Sequence, residues 1–385
     1  MKKMISLAVI LSCVLSVPAF ADGPNDGHRP GQPTVWQNGP DHDGHAPQGG
    51  PDAHHQGDHD QHGPDRDGHD KRDLARHEQN HFAWRGNDFR KGHPAPAPFR
   101  GDEYRVRDWS DRGLPPQVLA PLIEQAGFAS YYVPEHGHIP TRRDTAHPRT
   151  GTAELPDDRY TRTLDPWTTL AAAAAVTERI RLATAVALPV QSDPITLAKT
   201  IATLDHISGG RVTLGVGFGW NLDELADHKV PPARRRTMLR EYLEAMRALW
   251  TEEEAEFDGE FVQFGPSWAW PKSTQSHIPV QVGAAGNEKN FKWIARSADG
   301  WITTPGEADI EGSVLLLKQI WADAGREGDP EIVVLDFKPV PEKLEKWREL
   351  GVTTVLYGLP DDTVERASGY LAKLAGKLGL APVPA

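Results

Sequence analysis

Three groups of residues in this 385-residue chain have the types and spacing to do chemistry. The first is the run Arg211-Val212-Thr213-Leu214-Gly215-Val216-Gly217-Phe218-Gly219-Trp220-Asn221, which passes from apolar alternation into a glycine-rich turn. Leu222-Asp223-Glu224 then begins an acidic, helix-like stretch. Strand, tight turn and helix in that order make an anion site: glycines let backbone N–H groups approach a ligand, and a helix N-terminus carries partial positive charge. A plain βα turn has the same spelling. The second group is Glu135-His136, at the end of the apolar run Ser130-Tyr131-Tyr132-Val133. An imidazole that changes protonation near neutral pH is a candidate acid or base, and Glu135 stands beside it; the bland alternative is a loop histidine that only hydrogen-bonds. The third is Gly283-Ala284-Ala285-Gly286, a second glycine-rich loop that could complete a phosphate or tail pocket.

The elements that must position these groups alternate regularly. Strands are expected over 130–133, 180–188, 211–216, 278–283, 299–304, 331–336 and 352–357. Helices are expected over 117–126, 167–178, 194–207, 233–250, 287–297, 310–324, 341–350 and 362–378. A long polar loop separates the strand at 130–133 from Asp165-Pro166. Such βα alternation points to a (β/α)8 TIM barrel, in which the C-terminal strand ends and the loops after them build the site. Only seven strands follow residue 117, and Tyr104-Arg105-Val106-Arg107-Asp108 is the one candidate for the eighth. Its arginines fall on one face, which would cost several kcal/mol each if turned inward unpaired. A barrel left open would expose its sheet edges. No phosphate-binding Walker loop, nucleophile elbow or HExxH zinc sequence is present. A Rossmann reading of the glycine turn fails because no ribose-binding acid follows about 20 residues on.

Gly127-Phe128-x-Ser130-x-x-Val133-Pro134-Glu135-His136, Asp165-Pro166-Trp167-Thr168-Thr169-Leu170 and Thr177-Glu178-Arg179-Ile180-Arg181-Leu182 come first in a longer ordered set. Ala202-Thr203-Leu204-Asp205-x-x-Ser208-Gly209-Gly210-Arg211, Leu214-Gly215-Val216-Gly217-x-Gly219-Trp220, Phe257-Asp258-Gly259-Glu260-Phe261 and Ala298-Asp299-Gly300-Trp301-Ile302 follow. Over residues 117–380 this order resembles the bacterial luciferase-like superfamily, and more narrowly its branch that uses the deazaflavin coenzyme F420. The resemblance implies hydride transfer between F420 and a small organic substrate; an FMN-dependent monooxygenase of the same fold is the alternative. It places His136 near the deazaflavin ring. It implies a backbone bulge with a non-prolyl cis peptide at Ala185–Val186, after Thr184, backing that ring. It gives Gly217, Phe218, Gly219, Trp220 and Asn221 to the coenzyme phosphate. Arg234, Arg235 and Arg236 could draw the anionic tail, although at least two of them read more simply as a solvated helix start. Trp268 and Trp270 could wall the substrate pocket or pack on the barrel rim. The helix over 233–250 could join two subunits into a homodimer or simply cover the barrel.

The first 116 residues tell a different story. Lys2, Lys3, an apolar core from Ile5 to Val17 and Ala19-Phe20-Ala21 read as an export signal cleaved before Asp22. The core is too short to span a bilayer. The only cysteine is Cys13, so neither a disulfide within the chain nor a cysteine nucleophile is available. Eleven of the 17 histidines lie in 22–101, a Gly-, Pro-, Asp- and His-rich segment too poor in apolar residues to fold alone. It could hold nickel, cobalt, copper or zinc loosely, or be a solvated tail. With Asp102 to Pro116 it resembles the start of the periplasmic nickel/cobalt homeostasis proteins of the RcnB type, and the resemblance stops mid-module. It implies a periplasmic metal-binding protein, whereas F420 enzymes acquire their coenzyme in the cytoplasm; a fusion of two truncated genes, without activity, would reconcile the two. The net charge of −12 and the lack of a basic patch argue against a nucleic-acid or anionic-membrane partner.

Overall fold

The first barrel strand is Ser6–Leu11 (β1), five apolar residues after a serine. In the computed structural model, which describes residues 5–11, 114–156, 158–336, 338–360 and 363–383, this strand lies between the second strand and the last. Ser6 to Leu11 pair in parallel with Thr354 to Leu359, and Ala8 to Ile10 with Ser130 to Tyr132. Leu7 and Val9 pack outward under the helices, and Ala8 and Ile10 pack inside the barrel. A parallel strand covered on both faces is a continuous hydrophobic run, and so is the core of an export signal. The six residues read as part of a signal are therefore a barrel strand in the folded chain. The expectation that Tyr104–Asp108 supplies the eighth strand is corrected accordingly: the place is taken by β1. Residues 1–4 and 12–113, which hold the remainder of the signal except Ile5, the His-rich segment and 102–113, lie outside the described residues.

From residue 114 the elements follow the expected alternation. They are α1 (Pro116–Gln125), β2 (Ser130–Val133), α2 (Pro166–Ala174), β3 (Arg181–Thr184), α3 (Pro194–Ser208), β4 (Val212–Gly217), the short α4 (Leu222–Asp227) and α5 (Arg235–Thr251). A hairpin, β5 (Ala255–Asp258) and β6 (Gln263–Ser267), comes before β7 (Val280–Gly283) and α6 (Glu288–Ser297). Then come β8 (Gly300–Ile302), α7 (Ile310–Asp323), β9 (Glu331–Asp336), α8 (Pro341–Leu350), β10 (Thr354–Leu359) and α9 (Val364–Leu378). The barrel closes in the order β1-β10-β9-β8-β7-β4-β3-β2, every pair parallel. The hairpin stands outside it and was not legible as strands, because Asp258-Gly259-Glu260 interrupts a short and only half-buried run. Pro115 and Pro116, where the RcnB-like stretch ends, are the N-cap and first residue of α1.

Helix starts follow local chemistry. Asp165 and Asp193 accept from the N–H groups of Thr168 and Thr196, each with proline at the next position. Long-range polar ties hold the N-terminal end of the barrel. The buried Asp205 carboxylate accepts from the Thr274 and Gln275 N–H groups and from the Gln275 side chain. The Arg211 guanidinium donates to the carbonyls of Ala174, Thr177, Ile180 and Ser208. Glu124 accepts from the N–H groups of Glu178, Arg179 and Ile180. Several of the residues that carry the family resemblance are therefore scaffold. Removing one such partner leaves buried groups unpaired, at about 1–3 kcal/mol each. The long helix α5 buries Leu239, Leu243, Met246 and Trp250 on the barrel side, and the Trp250 indole donates to the Ala198 carbonyl at 2.9 Å.

Candidate active site

The mouth of the barrel is built first from backbone. After β3 the chain bulges, and the Ala185–Val186 peptide is cis, as the resemblance implied. The bulge is bound on both sides: the Ala185 N–H donates to the Val133 carbonyl, and the Ala187 N–H to the Gly215 carbonyl. The Thr184 hydroxyl donates to the same Gly215 carbonyl at 2.6 Å. A Cβ added to Gly217 or Gly283 would lie 2.6 Å from a Val186 methyl carbon, so both glycines make room for the bulge. The two positions that the sequence reading assigned to the coenzyme are thus also closely packed against the bulge. Gly219 is needed for its backbone, at φ +77°, and faces Leu225.

Glu135 belongs to the same scaffold. Its N–H donates to the Val186 carbonyl at 3.3 Å, and its carboxylate accepts from the Leu188 N–H at 2.5 Å. Burial pushes its carboxyl up to about 7, against the lowering effect of the Leu188 N–H; the carboxylates of Asp165 and Glu224 add to the rise.

His136 faces the other way. Its Nδ1 lies 3.0 Å from Glu224 Oε2, with side-chain exposures of 9% and 1%. The Asn221 amide donates to the same oxygen at 3.4 Å. Around the imidazole stand Tyr160 at 5.7 Å and Trp220 at 6.1 Å between ring centroids. His147 is edge-on to Trp220 at 4.6 Å, and its Nε2 lies 3.0 Å from the Tyr160 hydroxyl. Glu224 Oε1 and Asn221 Oδ1 are buried without a partner among the described residues. Thr163 donates to the His136 carbonyl.

The long loop between β2 and α2 delivers Tyr160 and His147, and it is tied to the glycine turn. Asp223 accepts from the Asp144 and Thr145 N–H groups, and the Leu222 N–H donates to the Thr145 hydroxyl. Burial acts to raise the Asp223 carboxyl, but the hydrogen bonds from Thr145 and Asp144 outweigh it and hold the group low. Sequence reasoning missed Glu224, His147 and Tyr160 as site residues. The Asn221-x-x-Glu224 spacing at a helix start was the available signal for Glu224; the loop pair has no periodicity to betray it.

An anion would find donors beside this cluster. The Gly217 N–H is used by the Ala187 carbonyl, but the N–H groups of Phe218, Gly219, Trp220 and Asn221 make no hydrogen bond to a described residue. Arg236 lies 4.0 Å over the Phe218 ring and donates to Asn290, whose amide donates to the Ala285 carbonyl. Its other terminal nitrogen is buried without a partner among the described residues. Arg236 therefore joins the two glycine loops, while Arg234 pairs with Glu260 and Arg235 donates to the Pro232 carbonyl. The second loop offers fewer donors than its spelling suggests, since the Ala284 N–H goes to the Ile302 carbonyl and the Gly286 N–H to Glu307. Trp268 and Trp270 are 76% and 59% exposed and make no described ring contact with the site. Among the described residues no cluster of histidine, cysteine or carboxylate is placed to hold a metal, and no helix is long and apolar enough to cross a membrane.

A closed parallel barrel with a bulge after its third strand, a histidine at the end of its second and an open-handed glycine turn after its fourth is the frame of a flavin-type oxidoreductase family. Residues 117–377 match the luciferase-like monooxygenase family, and the chain belongs to it. An uncharacterised protein of Mycobacterium tuberculosis is 71% identical over 269 residues, covering 70% of this chain and 95% of that protein. An F420-dependent glucose-6-phosphate dehydrogenase of Kineococcus radiotolerans is 29% identical over 279 residues, covering 69% of this chain and 76% of its own. In fold the chain is similar to the F420-dependent tetrahydromethanopterin reductase of Methanopyrus kandleri (TM-score 0.54, 18% identity, 68% of this chain and 94% of that one). It is equally similar to the monooxygenase RslO1 of Streptomyces bottropensis (TM-score 0.54, 24% identity, 68% and 91%).

Proposed function

We propose that the chain is an oxidoreductase that moves a hydride between the deazaflavin coenzyme F420 and a small organic substrate. One observation carries the reading: the buried pair His136–Glu224 stands at the same barrel mouth as four unengaged N–H groups and the buried nitrogen of Arg236. When bound, F420 supplies a two-electron hydride carrier with an anionic, phosphate-bearing tail. The chain's own residues then do three things. Phe218 to Asn221 and Arg236 bind the anion; the bulge at 185–188, held by Glu135, backs the ring; His136 holds or releases the proton that balances the hydride at substrate oxygen. Trp220, Tyr160 and His147 exclude water from that atom.

FMN is the alternative coenzyme, because the same donors fit its phosphate. Titrating the purified apoprotein with F420 and with FMN separates the two, with F420 expected to bind more tightly; tighter FMN binding rejects the proposal. In this reading the working enzyme keeps residues 6–11, because a chain cut before Asp22 would lack β1 and leave β2 and β10 with unpaired edges. Retention of that strand fits the cytoplasm, where the coenzyme is acquired. The homodimer stays with the proposal, through α5 or another face, and is read by light scattering.

A further inference from the structure

We propose that Glu224 is a positioning residue that fixes the tautomer of His136, keeping the proton on Nδ1 and offering the lone pair of Nε2 to substrate. The inference deepens the proposed function and rests on it for the role of His136 in turnover. An ionised carboxylate only accepts hydrogen bonds, and Glu224 Oε2 takes two contacts, from His136 Nδ1 at 3.0 Å and from the Asn221 amide at 3.4 Å. The amide nitrogen of Asn221 is a donor, which marks Oε2 as the acceptor oxygen. With that carboxylate ionised, Nδ1 is the protonated ring nitrogen. A neutral imidazole has one N–H, so Nε2 is the acceptor.

The position of Glu224 makes the effect strong. Its side chain is almost completely buried, on α4, and it reaches across to the end of β2. Its other oxygen, Oε1, has no described partner, so no competing donor draws the carboxylate away from His136. An ionised carboxylate in a low-dielectric mouth would also stabilise the imidazolium formed when Nε2 takes a proton. The rings packed around this imidazole are Tyr160 and Trp220, and the Glu135 carboxyl is near enough to feel its charge; none of the hydrogen bonds described to these groups engages its ring nitrogens. Glu135 is committed to the Leu188 N–H, so the two acids divide the work: one holds backbone, the other holds the ring.

The test reads the tautomer directly. The full-length protein is labelled with 15N-histidine, and the His136 signals are identified as those lost in His136→Gln. With the ring neutral, the expected spectrum shows Nδ1 protonated and Nε2 bare, in the absence of coenzyme and substrate. A protonated Nε2 overturns the proposal. Glu224→Leu, which keeps the bulk and removes the acceptor, is expected to shift the ring toward the Nε2–H form and to lower kcat about 100-fold or more, the usual worth of a general base. Its coenzyme affinity is expected to stay within twofold. Unchanged kcat, or lowered kcat with the wild-type tautomer, overturns the positioning role. If Glu224→Leu does not fold, Glu224→Gln takes its place: its amide can donate as well as accept, so the Nδ1–H form is expected to be less populated than in wild type, and an unchanged tautomer overturns the positioning role. Since the wild-type spectrum needs no coenzyme, a chain that shows Nδ1–H but ignores F420 would keep this inference and lose the proposed function.

Discussion

The Leu188 N–H donates to the Glu135 carboxylate at 2.5 Å, joining the end of β2 to the bulge that follows β3. The residue next to the candidate acid/base thereby helps to hold the wall. Its own N–H holds the Val186 carbonyl from the same side. Val186 in turn fills the space left by Gly217 and Gly283. One buried acid, one bulge and two glycines therefore form a single packed unit across β2, β3, β4 and β7.

The first prediction concerns pH. The carboxyl of Glu135 titrates near 7 in the folded chain against an ordinary 4.5, because burial disfavours its charge. A folded value raised for an acid means the native state holds the proton more tightly, so stability falls as pH rises from about 4.5 to about 7. The full effect is about 3 kcal/mol at most. Glu135→Gln keeps an oxygen for the Leu188 N–H and removes the ionisation. Its melting temperature is expected to be higher than that of wild type at pH 8 and to converge with it at pH 4.5, by calorimetry across that range. Parallel curves at all pH values would refute the assignment.

The second concerns β1. Leu7, Val9 and Ile10 are all buried, at about 1.5–3 kcal/mol each. Their sum approaches the total stability of an ordinary domain. A chain starting at Asp22 is expected to lose its cooperative melting transition and to aggregate through the β2 and β10 edges. Circular dichroism and size-exclusion chromatography read both. A transition at the wild-type temperature would show that something else closes the barrel.

The third concerns Arg236. It stacks on Phe218 and donates to Asn290, and its other terminal nitrogen is buried without a partner among the described residues. Arg236→Gln removes a charge-assisted hydrogen bond worth about 1.5–3 kcal/mol, so coenzyme affinity is expected to fall about tenfold or more. Arg234→Gln, whose parent pairs with Glu260, serves as the control with unchanged affinity. Equal losses in the two variants would remove Arg236 from the site.

The fourth concerns the bulge. Gly217→Ala places a methyl against Val186 and is expected to cost about 1–3 kcal/mol as overpacking. Adding Val186→Ala to it is expected to recover much of that, because the clash partner is gone. A strictly additive double variant, measured by urea denaturation, would mean the two residues do not press on each other.

Much of this molecule could be read from its residues one stretch at a time. Helix starts such as Asp165-Pro166 and Asp193-Pro194 announce themselves because capping is a contact between near neighbours. The strands at 130–133 and 331–336 were legible because burial on both faces writes a short apolar run. His136 and the turn at 217–221 stood out by type and place. The fold of the first residues did not, since an apolar hexapeptide spells an export signal and a buried strand alike, and only its pairing with β10 and β2 separates them. The partner of His136 lies 88 residues away in sequence, and His147 and Tyr160 ride on an aperiodic loop. Sequence determined the local conformations and the choice of barrel. Tertiary structure decided which strand closes it, which acid holds the histidine and which glycines serve packing, because those are contacts between segments whose separation along the chain carries no local signal.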